Sequence, residues 1–295
     1  VIDSLVVGAS GQTGAALVRR LTLLGRAVLG TYSTRAIDGG RPLDLADRDE
    51  VMRLVEETRP KAIFNPAGMT NVDECERRPD EALAVNGLAP GWLAEAANLA
   101  GAALVHFSTD YVFDGEAGPY AETDEPRPLS VYGRSKLEGE RAVLGWGARG
   151  CVIRTCVVFS RTPGHGNFFS QVYGRLREGR KVTPFKDQFV NPTWAEILAE
   201  AAIEAADLGL SGLLHVGGAD WLSRLEFCER LALRFGFPLE LLEPVETGSV
   251  KLPARRPLKA GLKIDLARRL LKTRLMGLDE AFAGIAGGTP SGGVL

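Results

Sequence analysis

Two residues near the middle of the chain have the chemistry and the spacing for proton transfer. Tyr132 and Lys136 stand at i and i+4 in Ser130-Val131-Tyr132-Gly133-Arg134-Ser135-Lys136, so on a helix they share one face, about a turn apart. A phenol with a pKa of about 10 is a poor acid or base at neutral pH. A nearby ammonium stabilises the phenolate, lowers that pKa and lets the phenol trade a proton with a substrate oxygen. The spacing alone also fits two exposed residues on a helix, so what precedes it matters. Thr109 closes the strand-like run from Ala103 to Phe107 and Ser108. Ligands of parallel sheets gather outside the carboxyl ends of strands. The Thr109 hydroxyl is therefore a candidate for polarising a carbonyl, and a turn bond is the structural alternative.

A second chemical signal lies at the start of the chain. Leu5-Val6-Val7 reads as a buried parallel strand, and Gly8-Ala9-Ser10-Gly11-Gln12-Thr13-Gly14 follows at once. A helix pattern begins at Ala15. Strand, glycine turn and helix form the context of a dinucleotide site. Glycines let the backbone approach a pyrophosphate, and the helix N-terminus offers free N–H groups and a positive dipole end. Gly8, Ser10, Gly11, Gln12, Thr13 and Gly14 are the candidates here. The second strand, Ala27 to Tyr32, ends in Ser33-Thr34-Arg35 without the acid that would hold a ribose 2′-hydroxyl. Ser33 and Arg35 could meet a 2′-phosphate, which favours NADP(H), with NAD(H) as the alternative. A solvated loop arginine is the other reading of Arg35. Asp44, beside Leu45, has the type and place to accept a bond from an adenine amino group. Asn65, Pro66 and Ala67 end the next strand and would lie against the cofactor, and Asn86 joins the cofactor candidates.

These residues need elements to hold them. The pattern predicts strands at 27–32, 62–65, 103–107 and 152–158, a helix over 79–99, and a Tyr132 helix running to about Ala142. Asp47 is placed to cap a helix through Val51 to Val55. His106 has apolar neighbours and reads as a core histidine. Pro163-Gly164-His165-Gly166 reads as a loop, after which Asn167 opens an amphipathic helix. Phe189 to Thr193 and Leu213 to Val216 look like short returns to the main sheet. Beyond about 221 the chain reads as mostly helical, with a loop at 244–262. The expected architecture is α/β, a Rossmann-type doubly wound parallel sheet with a smaller, mostly helical C-terminal substrate domain. Residues 1–159, with returns at 189–220, form the NADP(H)-binding part. Residues 160–188 and 221–295 form the substrate-binding part, with a disordered tail at 287–295.

Composition narrows the class. A net charge of −2 in a chain that is 24% charged gives no reason to expect nucleic acid or membrane attraction. The apolar runs are strand-sized, and the first residues lack the pattern of a secretion signal. Cys75, Cys151, Cys156 and Cys228 form no C-x-x-C pair, and with three histidines no metal site is expected. The cysteines read as reduced thiols of a cytoplasmic protein.

Together the motifs carry a resemblance. Gly8-x-x-Gly11-x-x-Gly14, the run Ser108-Thr109-Asp110-Tyr111-Val112-Phe113-Asp114-Gly115, and Tyr132-Gly133-x-Ser135-Lys136-x-x-Gly139-Glu140 look like an extended short-chain dehydrogenase/reductase. Four further stretches resemble the dTDP-4-dehydrorhamnose reductase family: Asn65-Pro66-Ala67 with Thr70-x-Val72-Asp73-x-x-Glu76, Asn86-x-x-Ala89-Pro90, Asp187-Gln188-Phe189 with Pro192-Thr193, and Pro253-Ala254-Arg255-Arg256-Pro257. The resemblance implies reduction of a dTDP-sugar C4 ketone by NADPH or NADH. Tyr132 would donate the proton as hydride arrives. Lys136 would lower the tyrosine pKa and hold the nicotinamide ribose, and Thr109 would bond the reacting carbonyl. Thr70, Asp110 and Tyr111 would line the sugar pocket, and Asn167 and Arg256 would grip the nucleotide diphosphate. Relatives are often homodimers.

The chain departs from the family where aromatic residues usually pack on the sugar, carrying Val157 and Met69 instead. These departures bear on which nucleotide sugar is used. A regulatory binding subunit like that of methionine adenosyltransferase, and an epimerase or dehydratase of the superfamily, are the alternative readings. The complete Thr109, Tyr132 and Lys136 set favours the reductase.

Overall fold

The computed structural model describes residues 2–147, 149–161 and 166–287. Its first half alternates strand and helix: β1 (Ser4–Val6), α1 (Gln12–Leu23), β2 (Val28–Tyr32), β3 (Arg41–Pro42), α2 (Arg48–Thr58) and β4 (Ala62–Asn65). Then come α3 (Val72–Arg77), α4 (Pro79–Leu83), α5 (Ala89–Ala100), β5 (Ala103–Thr109), α6 (Val131–Gly145) and β6 (Gly150–Thr155). The second half holds β7 (Val158–Phe159), α7 (Phe168–Arg177), β8 (Phe189–Val190), β9 (Thr193–Trp194), α8 (Ala195–Asp207) and β10 (Gly212–His215). It ends with β11 (Leu222–Ser223), α9 (Arg224–Phe235), α10 (Asp265–Leu270) and α11 (Leu278–Ala286).

Seven strands form one sheet in the order β3-β2-β1-β4-β5-β6-β10, with every pairing parallel. The order reverses next to β1, the feature of a doubly wound sheet that opens a crevice for a dinucleotide. Such strands are covered on both faces and read as continuous apolar runs. Two core layers result. Val6, Phe64, Val105 and Ile153 pack with α1 and α8 on one face, while Leu5, Ile63, Leu104 and Val152 pack with α2 and α5 on the other. Asp47 caps α2 by accepting from the Glu50 N–H, as the sequence predicts.

A smaller helical body gathers around Phe159, Phe169, Phe227 and Phe282, from β7, α7, α9 and α11. Between α7 and β8, and between α9 and α10, the chain is irregular, with two short 3₁₀ turns. Pro163 to His165 and the tail from 288 onward lie outside the described residues.

Two expectations need correction. The expected helix over 79–99 is interrupted by a wide π-type segment, Ala84–Leu88. Pro90 lacks the N–H that would bond the Asn86 carbonyl four residues earlier, and the chain widens there. The expected return of Phe189 to Thr193 to the main sheet does not occur. β8 pairs antiparallel with β11, and β9 pairs with β7. The edge beyond β6 is taken by β10, the expected return of Leu213 to Val216.

Candidate active site

The glycine turn fits a dinucleotide. Gly8 takes φ 81°, and a Cβ there would come within 2.8 Å of the Ala67 side chain. The β1 turn and the Pro66-Ala67 turn after β4 therefore touch, as only glycine permits. Helix α1 starts at Gln12 after Gly11, with no side chain capping it. Its first N–H groups, from Gln12, Thr13 and Gly14, are available to a phosphate group. Gln12 also donates to the Val158 carbonyl at 2.9 Å, which ties this turn to β7. Arg35 reaches back and donates to the Ser10 carbonyl, so the one cation after β2 lies at the same turn, with exposed Ser33 nearby in sequence. Asp44 is exposed, and its carboxylate accepts from the Ala46 N–H at 2.9 Å. Leu45 is buried beneath it.

Asn65 and Asn86 are buried and serve the frame. The Asn65 amide meets His106 Nδ1 at 3.1 Å, and His106 is a core histidine whose pKa is held well below the usual value by burial and then by Lys136. Asn86 exchanges two bonds with the Met69 backbone, at 2.9 and 3.0 Å, and donates to Ser135 Oγ at 3.1 Å. It thereby anchors the loop that carries exposed Thr70 against α6.

Helix α6 begins at Val131 because Ser130 accepts from the Gly133 N–H at 3.2 Å. Gly133 lets the helix approach the turn after β5. A Cβ there would lie 2.2 Å from the Tyr111 carbonyl oxygen. That approach brings Tyr132 to Thr109. Thr109 is the polar neighbour that counters the effect of burial on the Tyr132 phenol, and the Tyr111 ring meets the Tyr132 ring edge-on at 5.7 Å. Thr109 Oγ1 also accepts from the Tyr111 N–H at 3.2 Å and stands 3.2 Å from Asp110 Oδ1.

Burial raises the pKa of the Tyr132 phenol, with the Thr109 bond as the opposing influence. Lys136 Nζ donates to the Phe107 carbonyl at 2.5 Å. Burial pulls its pKa down to about 8, against the Glu140 carboxylate. The tyrosine pKa is thus raised, against the expected lowering by Lys136, because desolvation dominates both groups.

The expected pocket residues divide. Tyr111 is half-buried at the site. Asp110 is 1% exposed. Its carboxylate accepts from Cys156 Sγ at 2.8 Å, and burial raises its pKa. It supports Thr109 from inside and does not line an open surface. Asn167 is the N-cap of α7, accepting from the Ser170 N–H and donating to the Ser160 carbonyl at 2.9 Å. Arg256 is paired with Asp73 at 2.8 Å.

Sequence reasoning missed Arg224. It opens α9, donates from Nε to Gln188 Oε1 at 3.0 Å and lies 4.7 Å over the Phe168 ring. Among the described residues no carboxylate pairs with it, yet its charge opposes the raised pKa values of Asp110 and Tyr111. Arg256 acts on Tyr111 as well. Two guanidinium groups therefore face the Tyr111 side of the site. Nothing local marks Arg224, since Leu222-Ser223 and Glu226 read only as a helix start.

The chain matches the family described as RmlD substrate binding domain over residues 3–285. It is similar to the dTDP-4-dehydrorhamnose reductase of Escherichia coli, 35% identical over 276 residues, covering 90% of each chain. It is 34% identical over 294 residues to a Haloferax volcanii protein named "Probable low-salt glycan biosynthesis reductase Agl14", covering 95% of this chain and 98% of the relative. The crystal structure of dTDP-4-dehydrorhamnose reductase from Bacillus anthracis in complex with NADP superposes with a TM-score of 0.90 at 26% identity, covering 98% of this chain and 99% of that one.

Proposed function

The chain belongs to the dTDP-4-dehydrorhamnose reductase family, and on that premise we propose that it uses NADP(H) to reduce the C4 ketone of a nucleotide-activated 4-keto-6-deoxy sugar, dTDP-4-dehydrorhamnose first. The observation that carries this reading is the Thr109–Tyr132–Lys136 constellation, set at the carboxyl end of β5 in the sheet whose first turn fits a pyrophosphate. NADPH supplies the hydride. Tyr132 gives its proton to the oxygen that gains charge, and the Thr109 hydroxyl bonds the same oxygen. Lys136 holds the ribose and offsets the phenolate charge.

Residues 1–159 with 189–220 bind the cofactor in this reading, and 160–188 with 221–287 close over the sugar nucleotide. Arg224 and Arg256 bind the diphosphate, since guanidinium pairs well with phosphate oxygens. The four buried free cysteines fit a reducing compartment, and the cytoplasm is the proposed location. Among the described residues no helix is long and apolar enough to cross a membrane. A homodimer is proposed by likeness to the family, and light scattering tests it. The net charge of −2 gives no support for nucleic-acid binding.

The test follows NADPH absorbance with dTDP-4-keto-6-deoxyglucose, with and without a 3,5-epimerase. Oxidation that requires the epimerase supports the dehydrorhamnose substrate. Oxidation without it assigns another 4-keto sugar, in line with Val157 in place of an aromatic. No oxidation with either substrate rejects the reading. Tyr132→Phe lowers kcat by about 100-fold or more and leaves NADPH binding in place.

A further inference from the structure

Helix α6 carries a third polar residue on the face of Tyr132 and Lys136. Glu140 follows Lys136 by the same interval that separates Lys136 from Tyr132, so the three side chains lie along one line of the helix. That line meets three consecutive residues of β5. Tyr132 stands by Thr109, which opposes the effect of burial on the phenol. Lys136 Nζ bonds the Phe107 carbonyl at 2.5 Å, and Ser108 Oγ donates to Glu140 Oε1 at 2.5 Å. Glu140 also reaches β6, where Arg154 donates to it twice, from Nε at 2.9 Å and from Nη2 at 2.6 Å. Both of these side chains are 2% exposed. Arg154 in turn lies 5.1 Å over the Phe113 ring, with Nη1 3.4 Å from His215 Nε2. Four elements, β5, α6, β6 and β10, meet at this point, directly behind the catalytic pair.

A buried ion pair is a weak source of net stability, because desolvation offsets most of the attraction. Two apolar side chains of similar volume could fill the same space. They would fix no angle, since apolar contact is non-directional, whereas a two-point guanidinium–carboxylate fork sets both distance and plane. We propose that Glu140 and Arg154 are positioning residues that set the register and rotation of α6, and thereby the placement of Tyr132 against Thr109 and of Lys136 beneath the cofactor ribose. The inference rests on the reading of Tyr132 and Lys136 as the catalytic pair. Electrostatics adds support. The groups facing Lys136 are Glu140 on its own helix, Cys75 on α3 and neutral His106 on β5, and Glu140 opposes the effect of burial most strongly. Arg154 and His215 stand behind Glu140.

Three variants test the proposal. Glu140→Leu/Arg154→Met removes both charges together. It is expected to fold with a Tm near that of the wild type while kcat falls by about tenfold or more and the KM for NADPH stays within about twofold. A folded double variant with wild-type kcat overturns the proposal. Ser108→Ala keeps the ion pair and removes one bond to it, so kcat falls a few-fold without loss of Tm, and unchanged kcat counts against it. Glu140→Gln moves the alkaline limb of NADPH binding to lower pH, and a limb that stays in place contradicts the electrostatic part. That last measurement needs no sugar, so it distinguishes a wrong substrate from a wrong role for Glu140. Wild-type enzyme that oxidises NADPH with no keto sugar rejects the proposed function, not the positioning pair.

Discussion

Lys136 is buried and Tyr132 half-buried, desolvation opposes the charged form of each, and that sets the pH behaviour of the site. Lys136 has an ordinary pKa of 10.5 and is pulled down to about 8, by burial first. Below about 8 it is the ammonium that stabilises a phenolate, and above it that charge is lost. Activity is therefore expected to fall as pH rises through about 8, read as the alkaline limb of kcat/KM. Stability moves the other way. Between about 8 and 10.5 the unfolded chain holds a proton that the native lysine has released, so rising pH favours the fold over that window. A kcat/KM profile flat well above pH 8 would show that Lys136 does not act as an ammonium. Arg224 is tested through the phosphate it is expected to bind. Arg224→Gln raises the KM for the nucleotide sugar by about tenfold or more with little change in kcat, and weakens dTDP binding while leaving thymidine and NADPH unaffected. Equal effects on thymidine would point to lost packing over Phe168 instead.

At the scale of elements, the site depends on how closely α6 lies to β5 and to the π-type segment. The Gly133 approach to the Tyr111 carbonyl has no room for a methyl group. Gly133→Ala is expected to lower stability by about 1–3 kcal/mol and to lower kcat by more than that loss of fold accounts for, because Tyr132 moves with the helix. Thermal melts and initial rates on the same preparation separate the two effects. Wild-type rates in a destabilised variant would show that the contact is only structural. The Pro90 position explains why Asn86 sits in a widened turn. There its side chain ties the Met69 loop to Ser135 on α6. Much of this was legible beforehand. The Asp47 cap and the Gly8 turn follow from local pattern, since each depends on neighbours in sequence, whereas the strand expected over 152–158 ends at Thr155 and Val158 joins β9 instead.

For the molecule as a whole, a parallel sheet with its order reversed beside β1 leaves one crevice in which the cofactor and the second body can meet. Binding there stabilises the native state by mass action, by about 2.7 kcal/mol at a hundredfold excess over Kd. NADPH is expected to raise Tm more than NADH at equal concentration, and Arg35→Ala to reduce that difference. Equal shifts by the two cofactors in the wild type would assign Arg35 to the turn it bonds, at Ser10, and not to a 2′-phosphate. The second body is held by aromatic packing around Phe159, Phe169, Phe227 and Phe282, which keeps Arg224 over Phe168.

The sequence by itself determined the fold class and the family, and through that resemblance the reductase reading, because the motifs that carry them lie in short runs. Tertiary structure alone decided which side chains are free to act. Asn167 and Arg256 look alike as candidates in sequence, yet Asn167 caps α7, while Arg256 is held by Asp73 within reach of Tyr111. Arg224 carries no local signal and enters the site only because α9 packs against β8 and α7. Asp110 follows Thr109 but turns inward to Cys156. In each case the deciding partner is distant along the chain, and desolvation by that surrounding packing, which no spacing records, sets the charge that the residue can carry.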